Sequence, residues 1–230
     1  MNDALLCEIC SLRTYELFKD LNEEELDQLG RGSVPTIVPK RDYIFAPDEP
    51  SNQIYMLKSG RVRISRLSET GKHFTLVILE PGDIFGESAL FDDEPRRNFA
   101  EALDDAQICV IDKREFEKVA QNNPSVSLKI AQIVEHRLTE AQEQIENLVF
   151  YDVQTRLARL LLKLADIHGL RVENGVQIGI KLTHEDIASL IGSTRETTSK
   201  ILNEFKTNGW IDVKKRQIIL VDQKVLAEMK

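Results

Sequence analysis

LTHEDIASLIGSTRETTSKILNEF, residues 182–205, decides the fold of the C-terminal third of this chain. It reads as a helix, a tight turn and a second helix. Thr183 suits an N-cap, and Asp186, three residues on, supports the new helix end. Ile187, Ala188, Leu190 and Ile191 give the first helix a buried face, and Gly192 supplies the positive φ that ends it. Ser193 or Thr194 caps the second helix. Its apolar residues Ile201, Leu202 and Phe205 come late, which leaves Arg195, Glu196, Thr197, Ser199 and Lys200 free near its start. A helix that anchors at the back and offers polar side chains at the front is built to enter a DNA major groove. An ordinary helical hairpin does not need Arg-Glu-Thr at that place.

The residues on either side extend this reading. Gly209-Trp210 breaks the helix, and two short apolar runs, 211–213 and 218–221, flank the charged turn Lys214-Lys215-Arg216-Gln217. That is a β-hairpin signal, and a hairpin after a helix-turn-helix is a wing. Lys214 and Lys215 are expected to meet phosphate, which positions a protein without reading sequence. Upstream, residues 152–168 form an apolar helix on Leu157, Leu160, Leu161 and Leu164. Before it, Val134, Leu138, Ala141, Ile145 and Leu148 lie 4, 3, 4 and 3 residues apart within a long helix from about 124 to 150. That heptad seam, with polar residues on the other faces, predicts a dimer. Two heptads make a weak coiled coil, so the upstream domain is expected to contribute.

From 33 to 112 the pattern changes to short strands separated by turns. Val62, Ile64 and Leu67 alternate with Arg61, Arg63 and Arg66, Ser68-Glu69-Thr70-Gly71 reads as a hairpin turn, and Pro81-Gly82-Asp83 ends an apolar strand. Many short strands at this spacing predict an antiparallel barrel or roll. The fold class is α+β. An N-terminal helical, cysteine-bearing segment (1–32) precedes a β-roll or jelly-roll barrel (33–122), a dimerisation helix (123–150) and a winged helix-turn-helix domain (151–230).

The chain has 230 residues and a net charge of −8, which misleads until it is divided. Residues 1–150 carry 17 Lys/Arg against 28 Asp/Glu, a balance of −11, and residues 151–230 carry 13 against 10, a balance of +3. The basic surplus sits with the helix-turn-helix. So modest a surplus implies that affinity comes from two copies. No apolar run approaches membrane-spanning length, and the N-terminus lacks a basic-then-apolar leader, so the expected location is the cytoplasm, with no membrane partner. No nucleophile–base–acid set, phosphate-cradling glycine loop or zinc-hydrolase spacing is present, which argues against an enzyme.

Three local signatures, together with the order barrel, helix, winged helix, resemble the CRP/FNR superfamily of bacterial transcription regulators over nearly the whole chain. They are Pro81-Gly82-Asp83-Ile84-Phe85-Gly86-Glu87 with Pro95-Arg96 beyond it, Asn147-Leu148-Val149-Phe150-Tyr151-Asp152, and 192–200, GSTRETTSK. The resemblance implies a homodimer on two-fold symmetric promoter DNA that acts with RNA polymerase, more often as an activator. Arg195 can grip guanine O6 and N7 through two hydrogen bonds, Glu196 can accept from cytosine N4, and Lys200 reaches a guanine or a phosphate. Relatives with this set read TGTGA-like half-sites, about one helical turn apart. Ser199, by contrast, resembles FNR's serine, and Thr183, Ser193, Thr194 and Thr197 are further candidate DNA contacts.

Two effector readings follow from the same resemblance. In cyclic-nucleotide-binding members a Gly-Glu pair and an Arg hold ribose and phosphate, and Gly86, Glu87 and Arg96 match. Arg97 stands where a small residue is usual, and Ala141-Gln142 stand where the purine-reading pair is usual. Alternatively, Gly-Glu and Pro-Arg only maintain the barrel turn. The favoured reading is redox sensing. Cys7-Glu8-Ile9-Cys10 lies in a stretch resembling FNR's cluster-binding N-terminus, and Cys109 falls at its distant cysteine. The third N-terminal cysteine corresponds to Glu16. A [4Fe–4S] cluster would then need Glu16 or another group as fourth ligand, and thiol–disulfide switching is the cluster-free version. A haem sensor is disfavoured, since Ser88 stands where those relatives carry histidine.

Overall fold

The computed structural model describes residues 15–69, 71–214 and 217–229. Cys7, Cys10, Lys215 and the first 14 residues of the N-terminal segment lie outside the described residues. The chain resolves into two compact units, residues 1–66 with 76–139, and residues 67–75 with 140–230.

In the first unit a 3-10 turn, Glu16–Phe18, leads to helix α1, Glu23–Arg31. Asn22 starts α1 with a reciprocal cap. Its side chain accepts from the Glu25 amide at 2.9 Å, and the Glu25 carboxylate accepts from the Asn22 amide at 2.9 Å. Eight strands follow: β1 Ser33–Val38, β2 Tyr43–Phe45, β3 Gln53–Ser59, β4 Val62–Leu67, β5 His73–Leu79, β6 Ile84–Phe85, β7 Phe99–Ala102 and β8 Ala106–Asp112. They form two four-stranded sheets, ordered β1-β8-β3-β6 and β2-β7-β4-β5, with antiparallel pairing. The expected antiparallel β-roll is therefore present. The hairpin anticipated at 68–71 joins β4 to β5, with Gly71 at φ 80°.

One core lies between the sheets, built on Phe45, Tyr55, Leu57, Val62, Ile64, Leu79, Phe85, Ala100 and Ile108. A second core covers the outer face of the β3/β8 sheet, where Ile54, Met56, Cys109 and Ile111 meet Phe18, Leu26 and Leu29. Helix α2, Lys113–Asn122, capped by Asp112, adds Phe116 and Val119, and helix α3, Pro124–Phe150, adds Val126 and Ile130. Strand β3 is thus buried on both faces, which explains its unbroken apolar run, Ile54 to Leu57. The alternation on β4 also differs from a half-solvated strand. Arg63 and Ser65, on the face opposite Val62 and Ile64, are buried as well, and Arg63 pairs with Glu101. A guanidinium goes there because a carboxylate stands directly across the ladder.

Strand β1 is the outer strand of its sheet. It carries Pro35 at its middle, with Val34 61% and Ile37 73% exposed.

In the second unit, helix α4, Val153–His168, is capped by Asp152, whose carboxylate accepts from the Thr155 amide at 2.8 Å. Strands β9 Gly169–Val172 and β10 Gly175–Ile178 precede helices α5, His184–Leu190, and α6, Arg195–Thr207. Strands β11 Ile211–Lys214 and β12 Gln217–Leu220 form the expected wing hairpin, and α7, Gln223–Ala227, closes the chain. The four strands make one sheet, β11-β12-β10-β9. Leu157, Leu161, Ile187, Leu202, Phe205 and Leu220 form the core of this unit. Residues 67–75 also belong to it. The Thr75 and Ser189 hydroxyls lie 2.6 Å apart and are buried, and a Cβ on Gly192 would stand 2.8 Å from Leu148 Cδ2.

Candidate DNA-reading surface and effector pocket

The helix-turn-helix forms as its sequence dictates. Thr183 accepts from the Asp186 amide at 3.1 Å, and the Asp186 carboxylate accepts from the Thr183 amide at 2.8 Å. Gly192 adopts φ 62°, the left-handed conformation that the turn needs. Of the two candidate caps for α6, Thr194 takes the role, accepting from the Thr197 amide at 3.2 Å. The hydroxyl oxygens of Thr183 and Thr194, both singled out as DNA contacts, therefore already serve helix ends.

On α6, Thr198, Ile201, Leu202 and Phe205 are buried, and Arg195, Glu196, Thr197 and Lys200 are exposed on the other side. Ser193 is half-buried in the turn. Among the described residues, Arg195, Glu196 and Lys200 make no ion pair or side-chain hydrogen bond. Their charges face solvent and are available to base edges and phosphate. Ser199 departs from expectation. It is half-buried, and its hydroxyl lies 2.7 Å from His184 Nδ1, so it is not a free reader. Sequence spacing could not show this, because the partner comes from the preceding helix. In the wing, Lys214 is exposed and lies 3.7 Å from Asp212.

The seam residues Val134, Leu138, Ala141, Ile145 and Leu148 are all exposed in the single chain. Apolar side chains repeated at this spacing on an open helix face make a surface of the kind that a partner helix covers in a coiled coil.

In the first unit, Gly86 adopts φ 78°, and a Cβ there would meet Arg96 Nη1 and Tyr55 Cδ2, each at 2.9 Å. Only glycine lets the turn approach so closely. Arg96 is 4% exposed. It donates to the Gly86 carbonyl at 2.9 Å and to the Gln53 carbonyl, and it packs over the Phe45 ring at 4.6 Å and the Tyr55 ring at 5.5 Å. It thus braces the barrel turn, as the purely structural reading anticipated. Yet its Nε is buried without a hydrogen-bond partner, and among the described residues it forms no ion pair with a carboxylate. Burial pulls the guanidinium below the ordinary arginine value, with Tyr55 and Glu87 opposing, and burial pushes the Tyr55 phenol up. Glu87 pairs with Arg137 of α3, which also donates to the Ile84 carbonyl. Sequence reasoning treated Arg137 only as part of a polar helix face. Arg97 is exposed beside Arg96.

The cysteine reading gains less from the geometry. Cys109 is 3% exposed, packed in the outer core of the β3/β8 sheet. Tyr15 packs against that same core, and its phenol is raised by burial and then by Cys109. Glu16 is turned to Lys19. Among the described residues, no three of His, Cys, Asp and Glu come together to hold a metal ion. No helix among them is long and apolar enough to cross a membrane.

Residues 35–123 match the cyclic nucleotide-binding domain family, and residues 155–229 match the Crp-like helix-turn-helix domain family. The chain is 34% identical over 191 residues to the transcriptional regulator SdrP of Thermus thermophilus, covering 82% of this chain and 90% of that one. It is 29% identical over 211 residues to a CRP-like cAMP-activated global transcriptional regulator of Mycobacterium tuberculosis, covering 92% and 94%. Among solved structures, a CooA mutant from Carboxydothermus hydrogenoformans superposes with a TM-score of 0.77 at 30% identity, over 96% of this chain and 94% of that chain. The first two relatives are transcriptional regulators. With its β-roll, its long helix and its winged helix-turn-helix, this chain belongs to the CRP/FNR family of DNA-binding transcription regulators.

Proposed function

We propose that this regulator is gated by a phosphate-bearing effector of the cyclic-nucleotide class, held at Gly86, Glu87 and Arg96. The observation that carries the reading is the buried Arg96 guanidinium, with Nε unsatisfied and, among the described residues, no carboxylate ion pair. A buried cation of that kind is costly to the fold, and a phosphate oxygen would both neutralise it and accept from Nε. Glu87, half-buried in its ion pair with Arg137, would accept from a ribose hydroxyl. That competition would loosen or re-aim Arg137 and so bias the seam helix α3. The relative from Mycobacterium tuberculosis, described as cAMP-activated, supports the same class.

As a dimer closed on the α3 seam, the protein presents two α6 helices to palindromic promoter DNA. Arg195, Glu196 and Lys200 read TGTGA-type half-sites there, Lys214 and Lys215 meet phosphate, and RNA polymerase is recruited. Thermal denaturation with cyclic AMP, cyclic GMP and inorganic phosphate tests the gate. Saturating effector at about 100 times its Kd stabilises by roughly 2.7 kcal/mol. No shift with either nucleotide rejects it.

A second reading, redox sensing through Cys7, Cys10 and Cys109 by a [4Fe–4S] cluster or a disulfide, keeps one supporting observation. Tyr15, five residues after Cys10, packs into the core that holds Cys109. Anaerobic purification with iron, sulfide and thiol counts distinguishes it. A colourless, iron-free protein whose thiols do not change between oxidant and reductant removes it.

A further inference from the structure

Ser199 sits on the reading face of α6, one turn beyond Arg195 and beside Lys200, while Thr198, Ile201 and Leu202 point into the core. Its hydroxyl is held by a side chain of the preceding helix. The partner is His184, the first residue of α5, exposed on the surface and 2.7 Å away through Nδ1. We propose that His184 is a positioning residue for DNA reading, setting the orientation and the hydrogen-bonding sense of the Ser199 hydroxyl and thereby the base preference at the position Ser199 faces. The proposal rests on the DNA-reading surface of α6 and goes beyond it by adding a residue from the other helix of the motif.

The chemistry follows from the valence of the two groups. A free serine hydroxyl rotates, donating or accepting as its neighbour requires, so it discriminates poorly. Bonded to Nδ1, it loses that freedom. If Nδ1 accepts, the serine proton is spent, and only lone pairs remain, suited to the amino group of adenine or cytosine. If Nδ1 donates, the serine proton is free for a carbonyl or a purine N7. In both tautomers one class of base edge is favoured over the other. The local structure keeps the pair in register. His184 directly follows the cap of α5, which Thr183 and Asp186 lock, and Thr194 fixes the start of α6, so His184 projects from a helix end of defined geometry and Ser199 from the second turn of the next helix.

The test uses the full-length protein in selection from random duplexes, run with and without cyclic AMP, for the parent, Ser199→Ala, His184→Ala and His184→Asn. Ser199→Ala and His184→Ala are expected to flatten base preference at the same single position, by about three- to tenfold, as loss of one hydrogen bond implies. Preferences set by Arg195 and Lys200 remain. His184→Asn, which places an amide where Nδ1 stands, restores the preference. Melting temperatures within about 2 °C of the parent, usual for a surface substitution, separate this from loss of fold. Unchanged preference in His184→Ala overturns the proposal, as does a loss that His184→Asn fails to restore, which would assign the effect to the bulk of the ring. A parent that enriches no sequence under either condition brings down the reading surface itself, a failure visible without any variant.

Discussion

Arg96→Met replaces a buried cation by an apolar side chain of similar length, and two effects oppose each other. The substitution strips the donors from the Gly86 and Gln53 carbonyls. The Gly86 carbonyl keeps the Ala89 amide as a donor at 3.2 Å, but each charge-assisted hydrogen bond lost is worth about 1.5–3 kcal/mol, so the two together cost roughly 3–6 kcal/mol. The cation's contact with the Phe45 and Tyr55 rings is also lost, about 1–2 kcal/mol in a desolvated setting. On the other side, the fold no longer buries a guanidinium whose Nε has no partner, a relief of about 1–3 kcal/mol. The lost donors outweigh the relief, leaving a net destabilisation of about 2–4 kcal/mol. For a chain of 230 residues each kcal/mol moves Tm by roughly 2–4 °C, so the fall is about 5–15 °C. Circular dichroism melts of parent and variant, both without nucleotide, measure it. A variant that melts at or above the parent refutes the reasoning. It would mean that desolvation dominates and that Arg96 contributes nothing to the barrel turn.

Three other outcomes are expected. Ile145→Glu puts a charge on each copy at a position 61% exposed in the single chain. Losing a buried isoleucine costs about 1.5–3 kcal/mol per copy, so sedimentation should show the dimer dissociating at a concentration at least tenfold higher, with specific DNA binding weakened in parallel. Arg195→Ala should lower affinity for the selected operator by about 1–3 kcal/mol and relax preference at one guanine, seen by fluorescence anisotropy on matched and substituted duplexes. The Asp152 carboxyl is held below the usual carboxylate range, first by the Thr155 amide. Because its folded pKa is depressed, its contribution is present above the unfolded value and is lost as pH falls through the folded one. Asp152→Ala should therefore cost about 1 kcal/mol at pH 7, less in strong acid, in urea titrations.

Much of this architecture is legible in residue order because it depends on local rules. Capping residues, the turn glycine at 192 and the late apolar triplet of α6 specify the helix-turn-helix within two dozen residues. The heptad spacing on α3 is legible for the same reason. What pattern could not reach are pairings between distant segments. Arg63 looks like the solvent side of a strand until Glu101 is found across the ladder. Ser199 looks free until His184 is seen beside it. Arg137 looks like one of many polar residues on a helix until it meets Glu87. Gly86 and Arg96 are legible from their resemblance to a nucleotide cassette, but the neighbouring rings of Phe45 and Tyr55, over which Arg96 packs, are not. Those rings come from separate strands and carry no spacing signal. The sequence also split the chain at 150, whereas the hairpin 67–75 and the last part of α3 cluster with the DNA-reading unit.

Strand β1 raises a matter of solubility. Among the described residues it ends its sheet with a row of backbone groups facing no further strand, flanked by exposed Val34 and Ile37. An open edge of that kind is a template on which further chains can add strands and grow into aggregates. Pro35 interrupts the template at its centre, since its ring lacks an N–H and obstructs a neighbouring backbone. A single residue in one short strand thus keeps this edge chemically blunt.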